Sequence, residues 1–155
     1  VTTNGSDFLT LNTSDQQFPN NANNYFNNTA PTSSVFSIGG VPHVNSSSMI
    51  AYAFTSVPGK CDIGTYTGTG VAGKKITCGF EPTFVLIKRT DSTGHWNMHD
   101  VARSGARLIA NLSNAEDAFW DDIVFDVDGF TVNFSNDNWN GNGATYMYMA
   151  IAKNP

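Results

Sequence analysis

The chain has 155 residues and a mass of 16.7 kDa, which suits one domain or two small units with a substantial core. Asn, Thr, Ser and Gly make up 61 of the 155 residues, whereas charged residues are 14% of the chain, against roughly 25% in typical soluble domains. A net charge of -5 and a pI near 4.8 exclude a basic footprint for nucleic acid, and no apolar segment is long enough to insert into a membrane.

The first third of the chain predicts short strands joined by polar loops. Residues 8–11 and 35–38 fit strands, with a return strand at 41–44 after Gly39-Gly40. Residues 49–55, with the sequence MIAYAFT, predict a stronger strand. The Asn-rich tract at 16–28 predicts a surface loop.

The middle of the chain contains its most apolar run, Phe84-Val85-Leu86-Ile87. Two strands, at 61–66 and 74–78, are predicted before it as a hairpin around Gly70. Because the apolar run is continuous and follows Pro82, residues 83–89 predict a central strand with both faces covered.

The last third again predicts strands, at 95–98, 107–112 and 145–152. Asp128-Gly129 suits a type I′ turn and predicts a hairpin between 123–127 and 130–134. Capping-box spacing at 113–116 predicts one helical turn. The predicted fold class is therefore all-β, a β-sandwich or jelly-roll-like protein with little helix.

An internal repeat runs through the sequence. Three phrases recur in the same order: LTLNTS at 9–14 with LIANLS at 108–113, VFSIGG at 35–40 with VFDVDG at 124–129, and MIAYAF at 49–54 with YMYMAI at 146–151. We expect two related units, 1–59 and 60–155, packed together. The second unit has residues 61–107 ahead of its first phrase, and the first unit has no counterpart to them. The first unit is thus expected to be truncated at its N-terminal side, with the missing strands upstream of Val1 or on another chain.

Two cysteines flank the predicted turn around Gly70. Folding the chain back there would place Cys61 and Cys78 opposite each other, which allows a cross-strand disulfide; two buried thiols are the alternative. Neither cysteine has the His neighbour expected of a catalytic thiolate.

Acidic residues and histidines give only weak metal candidates. Asp126 and Asp128, beside further acidic residues, could hold Ca²⁺, but the same pattern fits a solvated hairpin face. His95 and His99 would lie about 13 Å apart along a strand, and no third ligand is near. We expect no metal and no cofactor.

Aromatic side chains among Asn residues are typical of sugar-binding loops. Trp139 with Asn138 and Asn140 is the best such loop, and Tyr25 lies in a similar tract. Trp139 could equally pack as a hairpin cap. Phe119-Trp120-Asp121-Asp122 gives a weak version of a glycosidase carboxylate site, and no nucleophile elbow or phosphate loop is present. An enzyme is therefore not expected.

Several phrases resemble a repeat module of tail-fibre-like virion proteins of tailed bacteriophages, mainly marine and cyanobacterial ones. They are NNTAPTSSVFSIGG, MIAYAF, IGTYTGTG, GFEPTFVLIKRTDSTGHWNMHDVAR, IANLSNAE and ATYMYMAIA, and they span most of the chain. Cys61, Cys78 and His99 depart from the pattern of that module, so the resemblance gives no support to cysteine or histidine chemistry.

The resemblance implies a structural protein at or near the host-contacting apparatus, with no catalytic residues. The implied partners are other copies of the chain, a trimer by analogy with fibres, together with other virion proteins and a host-surface glycan. The implied location is the virion or the extracellular medium, although VTTNGSDF lacks the features of a signal peptide. The alternative is a soluble, lectin-like carbohydrate-binding β-sandwich module.

Overall fold

The computed structural model describes residues 7–18, 25–41, 48–103, 106–118 and 123–153. The chain divides into two compact units, one of Val1–Leu9 with Gln17–Phe54 and one of Thr10–Gln16 with Thr55–Pro155. The division after Phe54 lies close to the predicted boundary at 59, but residues 10–16 belong to the second unit. That the two units are related repeats, and that the first is truncated, stays a prediction.

The described part of the second unit contains nine strands and one turn of 3-10 helix. In chain order the elements are β1 (Cys61–Thr67), β2 (Lys74–Thr77), β3 (Pro82–Arg89), β4 (Trp96–Asp100), the 3-10 turn (Val101–Arg103), β5 (Ala106–Ile109), β6 (Asp117–Ala118), β7 (Ile123–Asp126), β8 (Gly129–Val132) and β9 (Thr145–Ala152). They form a six-stranded sheet in the order β1-β9-β3-β4-β5-β6 and a three-stranded sheet in the order β2-β8-β7. Every ladder is antiparallel, and the all-β, sandwich-like prediction is confirmed.

The core lies between the two sheets. Alternate residues of β9 face it and are buried, namely Tyr146, Tyr148, Ala150 and Ala152. Phe130 of β8 meets the ring of Tyr148 edge-on, with ring centroids 5.4 Å apart. Since a fully buried side chain of this size stabilises the fold by about 1.5–3 kcal/mol, these aromatic contacts hold the two sheets together.

Strand β3 lies inside the six-stranded sheet, as predicted, but its two faces differ. Val85 and Ile87 face the core and are fully buried, whereas Phe84 and Leu86 face the other way and are half-buried. The prediction of a strand covered on both faces is therefore right only for the inner face. The run is continuously apolar because the opposite face of the sheet is apolar too.

The described residues of the first unit form no strand beyond an isolated bridge between Phe8 and Phe18. The strands predicted at 35–38 and 49–55 are irregular, and most of their apolar side chains are exposed. A strand needs a neighbour to accept its hydrogen bonds, and residue composition cannot show whether that neighbour exists. Residues 42–44 of the expected return strand lie outside the described residues.

The predicted helical turn at 113–116 is also wrong, because those residues form no helix. The 3-10 turn lies instead at Val101–Arg103, directly after β4. Oδ1 of Asp100 accepts hydrogen bonds from the backbone amides of Ala102 and Arg103 at 3.0 and 3.2 Å. An acidic cap at the start of the turn thus fixes it.

Candidate functional site

The loop between β8 and β9, residues 133–144, carries the predicted sugar-binding residues. Trp139 is only 2% exposed. Its ring meets Phe134 edge-on at 5.9 Å between centroids, and Cζ of Arg107 lies 4.6 Å from the ring centre. A sugar cannot stack on a ring whose faces are already covered. The structure therefore corrects the predicted sugar platform, and Trp139 acts as a packing anchor.

Asn140, next to Trp139, is fully buried and joins two loops. Its Oδ1 accepts a hydrogen bond from the amide of Thr69 at 2.7 Å. Its Nδ2 donates to the carbonyls of Val71 and Phe134 at 2.7 and 3.0 Å. Asn140 thus holds the connection from β1 to β2 against the loop 133–144 and has no amide group left for a sugar.

The other two predicted glycan contacts are half-buried. Asn138 receives a long hydrogen bond, 3.5 Å, from the amide of His95. Tyr25 packs against Phe8 in the first unit, with ring centroids 4.3 Å apart. Asn138 and Tyr25 belong to different units.

Buried polar atoms gather on the inner face of β4, beside the Trp139 ring. Asn97 Oδ1, His99 Nε2 and Trp139 Nε1 are buried and have no hydrogen-bond partner among the described residues. Burial first, and then the charge of Arg107, lower the pKa of His99 to about 4. His99 is thus neutral at pH 7 and poorly suited to acid–base chemistry there. The unpaired polar atoms of the cluster could still form hydrogen bonds to a buried water molecule.

The weak metal candidates engage other side chains. Asp128 pairs with Lys75 at 2.7 Å, and Asp126 accepts a hydrogen bond from the Thr131 hydroxyl at 2.6 Å. Among the residues that the structure describes, no group of three or more His, Cys, Asp or Glu side chains could hold a metal ion. The neighbouring Phe119-Trp120-Asp121-Asp122 segment, proposed as a glycosidase site, lies outside the described residues.

Both cysteines are free thiols. The hairpin expected between their strands is wrong, because β1 belongs to the six-stranded sheet and β2 to the three-stranded sheet. Burial first, with the charges of Asp62 and Asp128 behind it, raises the pKa of Cys78 to about 12, and burial also raises the pKa of Cys61. Both thiols are therefore protonated and weakly nucleophilic at neutral pH.

The side of the six-stranded sheet that faces away from the core, here called the outer face, is also apolar. Register places these side chains on it: Ile63 of β1, Phe84 and Leu86 of β3, Met98 of β4, Leu108 of β5, and Met147, Met149 and Ile151 of β9. All eight are half-buried. Antiparallel sheets commonly present polar residues on the face opposite the core, so an apolar outer face is the most distinctive surface of this unit.

The charged side chain of Lys88 also lies on the outer face and is fully buried. Its Nζ donates to the carbonyl of Arg89 at 2.5 Å, and burial lowers its pKa to about 8. The opposing effect of the Asp15 carboxylate only partly restores the pKa. Sequence reasoning missed Lys88, although its parity with Phe84 and Leu86 in FVLIK places it on the same face.

Residues 10–16 lie beside Lys88 as a strap of the second unit. The Trp96 indole Nε1 donates to the carbonyl of Thr10 at 3.0 Å, and the Gly94 amide donates to the carbonyl of Ser14 at 2.8 Å. These two bonds tie the strap to the start of β4. The bonded residues are at least 80 positions apart in sequence, so no local pattern could reveal these contacts.

A family model matches the chain over residues 1–155. The matching family is described as a domain of unknown function, DUF7483. The chain belongs to this family. No curated protein and no solved structure matches this DUF7483 chain. In the part of the chain that the structure describes, no helix has the length and hydropathy of a membrane span.

Proposed function

We propose that the chain is a non-enzymatic structural or adhesive component of a tailed-phage virion, in a tail fibre or surface fibre. The observation that carries the proposal is the apolar outer face of the six-stranded sheet. A contiguous apolar surface with polar surroundings is typical of protein–protein contact. The resemblance of the sequence to tail-fibre-like repeat modules, and a surface rich in amides and hydroxyls, support the same role.

The partner at the outer face is a second copy of this chain, because most soluble oligomers are homo-oligomers with closed symmetry. A trimer is the expected state by analogy, with other virion proteins as further partners and the virion or the extracellular medium as the location. The main residues on which the carbohydrate-binding alternative depends are not accessible to a sugar. Trp139 is buried and Asn140 is fully engaged by backbone groups.

Light scattering with size-exclusion chromatography tests the assembly part of the proposal. The unchanged chain is expected to be an oligomer, and Met149→Lys, which puts a charge on the outer face, is expected to be a monomer. Val127→Lys is the matched control, because Val127 is an exposed hydrophobic residue in the β7–β8 turn. A monomeric unchanged chain, or equal effects of the two variants, would contradict the proposal.

Immunogold electron microscopy tests the virion part. An antibody raised against the chain is expected to label fibres on purified particles of the phage that encodes it. If the antibody detects the chain only in the soluble fraction of the lysate and never on particles, the chain is not a virion component.

A further inference from the structure

The end of the first unit, residues 49–54, exposes a run of apolar side chains. Ile50, Tyr52 and Phe54 are 79%, 80% and 66% exposed. Within the described residues, no hydrogen bond joins this segment to a neighbouring strand. Soluble proteins rarely leave so many adjacent apolar residues in water without a partner, so the segment requires one.

The internal repeat identifies the kind of partner. Residues 49–54 match 146–151, each 97 positions later, and the later copy is β9. Strand β9 lies between β1 and β3 and bonds to both. Ala150, the counterpart of Ala53, lies opposite Asp62 on one side and Val85 on the other. Residues 49–54 are thus the sequence counterpart of a middle strand, and the described residues of the first unit place no strand beside them.

A second pair of repeated residues adopts the same local structure in both copies. The amide of Thr13 donates to the carbonyl of Thr10 at 3.3 Å, and the amide of Leu112 donates to the carbonyl of Ile109 at 3.1 Å. Each donor and each acceptor is shifted by 99 positions, which is the offset of the LTLNTS and LIANLS phrases. The two phrases thus share one backbone hydrogen bond at matching positions, as expected if the predicted repeat is real.

We propose that residues 49–54 form a strand by inserting between the β1-type and β3-type strands of another DUF7483 module. By the register of β9, Ala51 and Ala53 then face the core, while Ile50, Tyr52 and Phe54 lie on the outer face. An intact second copy of this chain does not fit the role, because its own β9 already bonds to β1 and β3. The partner is a module in which the place of β9 is open.

A fusion protein tests the proposal directly. A duplicate of residues 60–112 is joined through a Gly/Ser linker ahead of Val1, so that the full chain is present together with one extra β1–β5 segment. Amide hydrogen exchange is followed by mass spectrometry in a peptide covering 48–55. We expect exchange in this peptide to be about a hundredfold slower in the fusion than in the unfused chain.

The amides of β9 serve as the internal reference for folding. If they stay protected while the 48–55 peptide exchanges equally fast in both proteins, the proposal is overturned. As a matched control, Val85→Pro and Ile87→Pro are introduced into the duplicated segment alone, since proline in a central strand removes ladder hydrogen bonds. This control fusion is expected to exchange like the unfused chain, and slow exchange in it would also overturn the proposal.

The side-chain register is tested by two further variants of the fusion. Ala53→Asp places a charge at a core-facing position and is expected to abolish the protection, whereas Tyr52→Ser on the outer face is expected to keep most of it. If the 48–55 peptide is already protected in the unfused chain and loses protection on dilution, a second copy is the partner and the proposal fails. The proposal concerns pairing between modules and does not depend on a place in the virion.

Discussion

Asn140 was a candidate sugar ligand by sequence, and its structural role leads to a prediction of the opposite kind. Replacing it in Asn140→Ala removes the side chain that joins Thr69, Val71 and Phe134. The Thr69 amide and the Phe134 carbonyl then lose their hydrogen-bond partner, whereas the Val71 carbonyl keeps the hydrogen bond from the Thr69 hydroxyl at 3.0 Å. We expect a clear loss of stability and no effect that is specific to glycan binding.

The size of the loss follows from the exposure of the groups involved. A buried polar group left without a partner costs about 1–3 kcal/mol. Thr69 and Val71 belong to an exposed turn, so water can reach those two groups and each costs about 1 kcal/mol or less at the low end of that range. Phe134 is exposed as well, so the total is about 2 kcal/mol, which lowers Tm by roughly 6 °C for a domain of this size.

Thermal unfolding followed by circular dichroism measures this effect, with Asn138→Ala as the matched control in the same loop. The Asn138 side chain accepts one hydrogen bond, from the His95 backbone amide, and it is long at 3.5 Å. We therefore expect the control to change stability by only about 0.5 kcal/mol. A shift below about 2 °C for Asn140→Ala, or equal shifts for the two variants, would refute the reasoning from unpaired backbone groups.

Three more predictions concern the second unit. In Gly129→Ala a Cβ would lie 2.0 Å from the carbonyl oxygen of Ile76. Urea unfolding should therefore show that the free energy of unfolding falls by about 2 kcal/mol or more. The control Gly40→Ala, where nothing lies within 4 Å of the added Cβ, should lower it by about 0.5 kcal/mol or less. Because the pKa of His99 falls from 6.5 to about 4 on folding, the protein should lose about 3 kcal/mol as the pH drops through that window. A pH profile of unfolding that His99→Gln leaves unchanged would contradict this. Because folding lowers the pKa of Lys88 from 10.5 to about 8, the free energy of unfolding should rise between pH 8 and 10.5. Lys88→Met should remove that rise and leave stability at pH 7 equal or higher. A large loss of stability at pH 7 in this variant would contradict the idea that the buried charge is costly.

The sequence was sufficient where structure depends on nearby residues. The period-two pattern of residues 145–152 gave β9 with its bounds, and Asp128-Gly129 gave the β7–β8 hairpin. Turn chemistry was misread around Gly70. Gly70 and Gly73 both have positive φ, and the chain there crosses from one sheet to the other instead of folding back.

The candidate site was harder to predict, because burial depends on contacts across the fold. Trp139 in an Asn-rich loop has the composition of a sugar platform, and only the packing of Phe134 and Arg107 against its ring removes that role. The burial of Lys88 depends on the fold around β3 and β4 as a whole. In the first unit, the strands predicted at 35–38 and 49–55 are irregular, because strand propensity contains no information about a neighbouring strand.

The position of residues 10–16 has a consequence for where the gene can be divided. These residues precede most of the first unit in sequence, yet they belong to the second. A fragment that begins at Thr55 would lack the carbonyls of Thr10 and Ser14. The Trp96 indole and the Gly94 amide would then donate their hydrogen bonds to water instead. Recombination that transfers the second unit intact therefore needs an upstream junction before residue 10. Such a transfer also includes residues Gln17–Phe54 of the first unit, which lie between the two segments of the second.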